Sequence, residues 1–450
     1  MPKTCQTGIA HKLMKNNFAI EEAIAFRQAE PAEITVRQEP LLQAHLRQAA
    51  KAPFYRDMFN RIDCSPEDIT IGNLAASLPL TSRHDMEAAP EDFFATPPES
   101  HVDLALTSGS TGAPVLVPYT AHDLERLAFN EQLGFHGAGV KRNDRLLLSV
   151  TLDRCFIAGL AYYTGLVKLG AACIRSGPGQ PARQWELLSR LQPSGLIGVP
   201  SFLLKMAAWG KSHGYNPQKS GIEKLITIGE PIRRPDGSLT PLGQELEEAW
   251  QGQVFSSYGA TELETAFCEC KAGCGGHVHP ELMITEIIDD QGMPVSPGNP
   301  GEVVVTPLGV EGFPLIRFRT GDIARLHTTP CACGWQTARL GPIEGRLAQR
   351  LKVKGTTLYP EMIFQALQEL PEIKSSYLEV RAAYDLSDDV HVVIGVDNPA
   401  DIEVRRISDH LQARLRVKPE ISVKNRRMVQ ETMEKAGGRK LKRFFDFRGE

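Results

Sequence analysis

Long apolar runs are missing from this 450-residue sequence. The longest uncharged one, Cys155 to Val167, falls short of the roughly 20 residues that a membrane-spanning helix needs, so no membrane partner is expected. Charge of one sign is also scarce. With 50 Lys and Arg against 54 Asp and Glu, the net charge of −4 removes the electrostatic case for a nucleic-acid binder. Internal repeats and low-complexity tracts are absent, and 42% hydrophobic with 23% charged residues excludes a disordered or collagen-like polymer. Polar and charged residues interrupt the first positions before an apolar signal region can form, so a cytoplasmic chain is expected. Cysteine is sparse, 9 in all, yet unevenly placed, because Cys268, Cys270, Cys274, Cys331 and Cys333 fall into two tight clusters. A chain this long buries its cores without disulfides, and clustered thiols in a cytoplasmic protein point to metal first.

What is present reads as α/β. The first hundred residues carry helical periodicity, as in Leu41, Leu42 and Leu46 between Glu39 and Ala50, and read as a scaffold without catalytic residues. From Asp103 to Val199, short apolar runs such as Leu146–Val150 and Leu196–Val199 alternate with helical stretches such as Gln184–Leu191. That is the pattern of a layered α/β domain, whose ligands gather at strand ends. A strand is predicted at Glu302–Thr306, and a distinct small unit from Gly345 onward. In that unit Ser375–Arg381, Val390–Val396 and Ile421–Val423 read as strands and Asp401–Leu415 as a helix, a βαβ-type module with a basic end. The expected domains are therefore 1–344, with a helical scaffold to about residue 100 and the site in 101–344, and a small α+β domain over 345–450.

The sharpest local signal is Thr107-Ser-Gly-Ser-Thr-Gly-Ala-Pro114, following the apolar Leu104-Ala-Leu106. Thr107, Ser108, Ser110 and Thr111 bring hydroxyls, while Gly109 and Gly112 let successive backbone N–H groups approach phosphate oxygens. The string is chemically a phosphate cradle, and as a string alone it is also a polar turn. It lacks the Gly-Lys-Ser/Thr ending of nucleotide-triphosphatase loops. Cys270, His277 and the Cys331-Ala-Cys333 knuckle offer four soft ligands, which a structural Zn²⁺ would join in a closed tetrahedron. Cys274 rivals His277 for the fourth place, and Cys268 and His279 stay open.

Together with Ala52–Phe59, Leu78–Ser82, Gly198–Phe202, Gly229-Glu-Pro231, Ser257–Glu262, Arg317–Asp322, Gly345-Arg346 and Gly438–Arg443, the loop resembles the adenylate-forming acyl-CoA synthetase superfamily, in its phenylacetate-CoA ligase branch. The motifs span nearly the whole chain in the expected order. The resemblance implies activation of a carboxylic acid, of aryl or arylacetic type, by ATP and Mg²⁺ to acyl-AMP, then transfer to coenzyme A. It assigns the β- and γ-phosphates to Thr107–Gly112, the adenine to Tyr258 and Gly259 with Gly229, Glu230 and Pro231, the α-phosphate to Thr261, and Mg²⁺ to Glu262. Asp322 would hold the ribose, Arg346 the ribose or phosphate, and Lys440 the developing charge between carboxylate and α-phosphate. Some members of the branch also look similar at Cys270, His277, Cys331 and Cys333.

Two departures matter. Acidic residues usual after the Gly-Arg pair are replaced here by Ala348 and Gln349 at the presumed pivot, which keeps open a transfer of AMP or acyl group to an acceptor other than coenzyme A. A non-catalytic nucleotide-binding scaffold is the reading from another class. The acid pocket is expected among Asp153–Ile157, Gly198–Phe202, Gly229–Pro231 and Tyr258–Glu264, with Asp153-Arg154 pointing to a more polar acid. Lys354-Gly355 resembles the basic turn that enters the acyl tunnel.

Overall fold

A computed structural model describes residues 18–107, 114–353, 356–382, 387–436 and 441–448. The chain divides into a larger unit within 1–342 and a smaller one over 343–450, the smaller also taking in Thr240–Leu242 and Gly321–Ile323. The opening is helical, with α1 (Ile20–Gln28), α2 (Pro31–Ala49), α3 (Pro53–Arg61) and the short α4 (Arg83–Ala88). Proline stands in the first turn of α2 and α3, where its missing N–H costs nothing. A hairpin follows, β1 (Asp103–Leu106) antiparallel to β2 (Leu116–Tyr119), and it frames the hydroxyl-rich loop.

The larger unit is built on a six-stranded sheet. Its strands are β3 (Arg145–Leu148), β4 (Ala172–Arg175), β5 (Gly195–Gly198), β6 (Lys224–Ile228), β7 (Gln253–Ala260) and β8 (Thr265–Cys268). They lie in the order β4-β3-β5-β6-β7-β8, parallel except for the β7/β8 pair. Alternation along the strands sends side chains to two faces. Leu146, Leu148, Ile197, Ile226 and Phe255 pack with Phe135 and Tyr162 of α5 (Ala121–Gly137) and α6 (Ile157–Leu169). Leu147, Leu196, Leu225 and Val254 instead pack with Trp185, Met206 and Trp250 of α7 (Pro181–Leu191), α8 (Pro200–Ser212) and α9 (Pro241–Trp250). Both faces are thus covered, as parallel strands require. Because β4 and β5 flank β3 on opposite sides, strand order reverses there, which opens the carboxyl ends of the central strands to a ligand.

A second sheet orders β10 (Met283–Ile288), β11 (Pro300–Pro307), β12 (Phe318–His327), β13 (Arg339–Leu340) and β9 (Gly276–His277). In the smaller unit β14 (Gly345–Arg346) pairs with Asp322 and Ile323, and β15 (Leu351–Val353) pairs with β16 (Thr356–Leu358). Its main sheet has the order β19-β18-β17-β20, made of β17 (Ser375–Ala382), β18 (Asp388–Val396), β19 (Glu420–Asn425) and β20 (Phe444–Asp446). Leu378, Val380, Val392 and Ile394 face α10 (Pro360–Gln368) and α11 (Val404–Leu415), whereas Tyr377 and Val393 face Val429 and Met433 of α12 (Arg426–Ala436).

The layered α/β architecture and the small α+β unit are those expected from the sequence. Boundaries differ modestly. The helix expected from Glu39 begins at Pro31, and the one expected from Asp401 begins at Val404 after a tight turn at Pro399–Asp401. Among the described residues no helix is long and apolar enough to cross a membrane.

Candidate active site

The carboxyl ends of β5, β6 and β7 lead into three of the segments singled out in the sequence, Gly198–Phe202, Gly229–Pro231 and Ser257–Glu262. Thr107 closes the base of its loop, donating from its backbone N to Val115 O at 3.0 Å and accepting Val115 N on Oγ1 at 2.9 Å. Ser108, Gly109, Ser110, Thr111 and Gly112 lie outside the described residues. Tyr258 sits opposite Phe267 in the β7/β8 ladder, the rings 5.9 Å apart and stacked. The next residue is Gly259, where a Cβ would stand 3.0 Å from Thr265 O, so the ladder there leaves little room for a side chain. Thr261 starts a single turn of 3₁₀ helix, and its carbonyl accepts the Tyr119 hydroxyl at 3.4 Å. Glu262 in that turn is buried, only 8% exposed.

One residue joins these pieces that sequence reasoning had passed over. Arg83 of α4 donates through Nη1 to Glu262 Oε1 and through Nη2 to Thr107 Oγ1, each at 3.2 Å, and through Nε to Glu87 at 2.7 Å. The helical scaffold, read from the sequence as without catalytic residues, therefore sends Arg83 to the Ser257–Glu262 motif. Ser82 and Asp85 form a reciprocal capping box that fixes the start of α4, and so the position of Arg83. That box is readable in Ser82-Arg-His-Asp85; the distant carboxylate it serves is not. A fully buried arginine, Arg126, donates to the carbonyls of Glu264, Leu282 and Leu308, each at 2.6 Å, and ties the motif turn to α5 and the second sheet.

Gly229 adopts φ +77°, a left-handed turn that leads the chain off β6. Glu230 beside it accepts Ser201 N at 2.9 Å and Ser201 Oγ at 2.8 Å. Its carboxylate therefore sits on the first turn of α8, where unpaired N–H groups and the helix dipole favour negative charge. Pro231 follows in the same turn. Within the smaller unit Asp322 pairs in register with Arg346, and Arg346 Nε lies 3.3 Å from Asp322 Oδ1. Lys440, Lys354 and Gly355 lie outside the described residues. Ala348 and Gln349 form a 3₁₀ turn directly after β14.

At the far edge of the second sheet, ligand atoms of Cys270, His277, Cys331 and Cys333 all lie within 4.8 Å of one another. Cys270 Sγ is 3.6 Å from Cys331 Sγ, and His277 Nε2 is 3.4 Å from Cys333 Sγ. His277 Nδ1 meets Thr337 Oγ1 at 2.9 Å, which leaves Nε2 turned to the thiols. Burial lowers the His277 pKa to about 3, so the ring is neutral. Cys274 Sγ also approaches Cys331, at 3.6 Å, but stands outside the four-atom group and receives the Arg339 guanidinium at 2.8 Å. Cys268 faces α5 from β8, and His279 Nδ1 contacts the Arg27 guanidinium at 2.7 Å.

A model of the AMP-binding enzyme family matches residues 21–310. The chain is 27% identical over 354 residues to a phenylacetate-coenzyme A ligase of Thermus thermophilus, covering 78% of each chain. It is 28% identical over 330 residues to the Pseudomonas putida enzyme of that name, covering 72% of this chain and 73% of the other. Among solved structures, 2-hydroxyisobutyryl-CoA ligase in its postadenylation state, in complex with 2-HIB-AMP, superposes with a TM-score of 0.82 at 21% identity, over 94% of this chain and 91% of that one.

Proposed function

Because the chain belongs to the AMP-binding enzymes, we propose that it is an AMP-forming acid–CoA ligase of the phenylacetate-CoA ligase type. In the first half-reaction a carboxylate oxygen of the acid attacks the α-phosphorus of ATP, the P–O bond to the β-phosphate breaks, and acyl-AMP and pyrophosphate form. In the second, the coenzyme A thiol attacks the acyl carbon, loses its proton, and releases AMP. Two anions must meet in the first step, so preorganised positive charge and hydrogen-bond donors supply most of the acceleration.

The observation that carries this reading is the Thr107–Arg83–Glu262 connection. It sets a guanidinium and a buried carboxylate at the base of a hydroxyl-rich loop. Glu262 is the hard oxygen ligand that would hold Mg²⁺, which when bound neutralises phosphate charge. Thr107–Gly112 would take the β- and γ-phosphates, Thr261 the α-phosphate and Tyr258 with Gly259 and Gly229–Pro231 the adenine. Asp322 accepts ribose hydroxyl protons, Arg346 contacts ribose or phosphate, and Lys440 bridges carboxylate and α-phosphate. Aryl and arylacetic acids are the substrate class.

A structural zinc on Cys270, His277, Cys331 and Cys333 belongs to the same proposal. Tetrahedral Zn²⁺ with bonds of about 2.3 Å to sulfur and about 2.0 Å to nitrogen sets donor separations of about 3.5–3.8 Å. The 3.6 Å and 3.4 Å separations lie close to those edges, and the Thr337 contact orients the imidazole as ligand-bearing histidines require. Held there, the ion would tie β9 and the turn before it to the Cys331–Cys333 loop.

ATP–pyrophosphate exchange over a panel of carboxylic acids, with and without coenzyme A, tests the reading. Exchange with an aryl or arylacetic acid, and AMP release that depends on coenzyme A, is the expected result. Ala348 and Gln349 favour a second reading, an acceptor other than coenzyme A. Exchange without any coenzyme A dependence of AMP release would select it.

A further inference from the structure

Tyr258 and Ser257 are neighbours on β7 and point to opposite faces of the sheet. Tyr258 shares its face with Val254, on the side of α7, α8 and α9, whereas Ser257 shares its face with Phe255, on the side of α5 and α6. Were the adenine to lie on Tyr258, an acyl group entering the carboxyl end of the sheet on the other face would meet Ser257. That face is apolar below this level, where Phe255, Ile226 and Ile197 pack with Phe135.

At the level of Ser257 it turns polar. Ser257 Oγ is buried without a hydrogen-bond partner, and it lies beside the Tyr162 hydroxyl outside normal bonding geometry. Cys268 stands directly opposite Ser257 in the β7/β8 ladder, and Glu131 of α5 is within electrostatic reach of both Tyr162 and Cys268. Gly165 of α6 is what lets Glu131 in, since a Cβ there would come within 2.3 Å of Glu131 Cβ. Glu131 is 4% exposed, and its carboxyl accepts the Asn130 amide at 3.2 Å. Burial pushes its pKa up to about 8 and holds the Tyr162 hydroxyl above its usual range, so both groups are largely uncharged at neutral pH. An unpaired buried hydroxyl is destabilising, and a ligand that pairs with it relieves that cost.

We propose that Ser257, Tyr162 and Glu131 form the polar end of the acid-binding site and select carboxylic acids that carry an uncharged hydroxyl away from the carboxylate. This rests on the acid-activating reading and narrows its substrate class. A neutral hydroxyl both donates and accepts, as do these three groups. A carboxylate or ammonium in the same place would instead lose its hydration without a counter-charge.

Matched acid pairs in ATP–pyrophosphate exchange decide it: phenylacetate against 4-hydroxyphenylacetate, and benzoate against 3-hydroxybenzoate. Wild-type kcat/KM should favour a hydroxylated member on the order of 10²-fold, because the unsubstituted acid leaves buried polar groups unpaired. Ser257→Ala and Tyr162→Phe should each shrink that ratio at least about tenfold, while Ser257→Thr, which restores a hydroxyl, retains it. Equal handling of both members by the wild type, or a preference that survives both truncations, overturns the proposal and leaves acid activation standing. Absence of exchange with every acid overturns acid activation as well. The wild-type ratio decides the matter even where a variant fails to fold.

Discussion

Arg83 Nη1 lies 3.2 Å from Glu262 Oε1, joining residues 179 positions apart in the sequence. The same guanidinium reaches Thr107, so one side chain holds the first residue of the hydroxyl-rich loop and the carboxylate proposed to hold Mg²⁺ in one frame. Replacing it with alanine should lower the pyrophosphate-exchange rate by about 10²-fold, the size typical of one lost charge-stabilising donor. Arg83→Lys should recover only part, because an ammonium lacks the fork that serves two acceptors at once. Unaltered exchange in Arg83→Ala would reduce the residue to a tether.

Lys440 bears a different expectation, taken from its place in the closing motif. Lys440→Ala should abolish adenylation while ATP affinity changes less than about threefold, since charge that grows in the transition state is what the lysine meets. Equilibrium ATP binding measured beside exchange separates the two, and full turnover in the variant would remove Lys440 from the chemistry.

Zinc should be found at about one equivalent in purified protein. Cys331→Ser and His277→Ala should lose it, with melting temperature falling on the order of 5 °C or more, whereas Cys274→Ala should keep it. Metal analysis of the three variants reads this directly. Retention in His277→Ala with loss in Cys274→Ala would exchange the fourth ligand.

Glu131 makes stability depend on pH in a defined direction. Its carboxyl keeps a proton in the folded protein up to about 8, while in the unfolded chain it ionises near the ordinary carboxylate value. Between those values the folded state binds more protons, so this residue's contribution falls as pH rises and levels off above about 8. Glu131→Gln removes that slope. Denaturant midpoints at pH 5, 7 and 9 should converge for wild type and variant at the acid end and separate in the variant's favour at the alkaline end.

Much of the fold was legible because local chemistry and global placement agree. Leu196-Ile-Gly198 reads as a buried strand and is one, since a parallel strand covered on both faces wants an apolar run. The helix at Ala121 was not singled out, though Thr120 and Asp123 cap it reciprocally. The tail strand Phe444–Asp446 was also missed. It is three residues long and exists by parallel pairing with Leu378–Val380, a partnership no local pattern announces.

The sequence by itself determined the kind of chemistry: hydroxyls and glycines in one loop, a Tyr-Gly-Ala-Thr-Glu run and two thiol clusters are covalent facts, and their ligand preferences follow from atom types. Tertiary structure decided which of these groups meet. Arg83 reaches Glu262, Glu230 caps the helix at Ser201, Arg339 takes Cys274 while His277 turns to the other thiols, and Glu131 packs closely against Gly165. Such pairings depend on strand order and on close approach between distant segments. A linear string does not encode these in any local spacing; the packing of the whole sheet fixes them together.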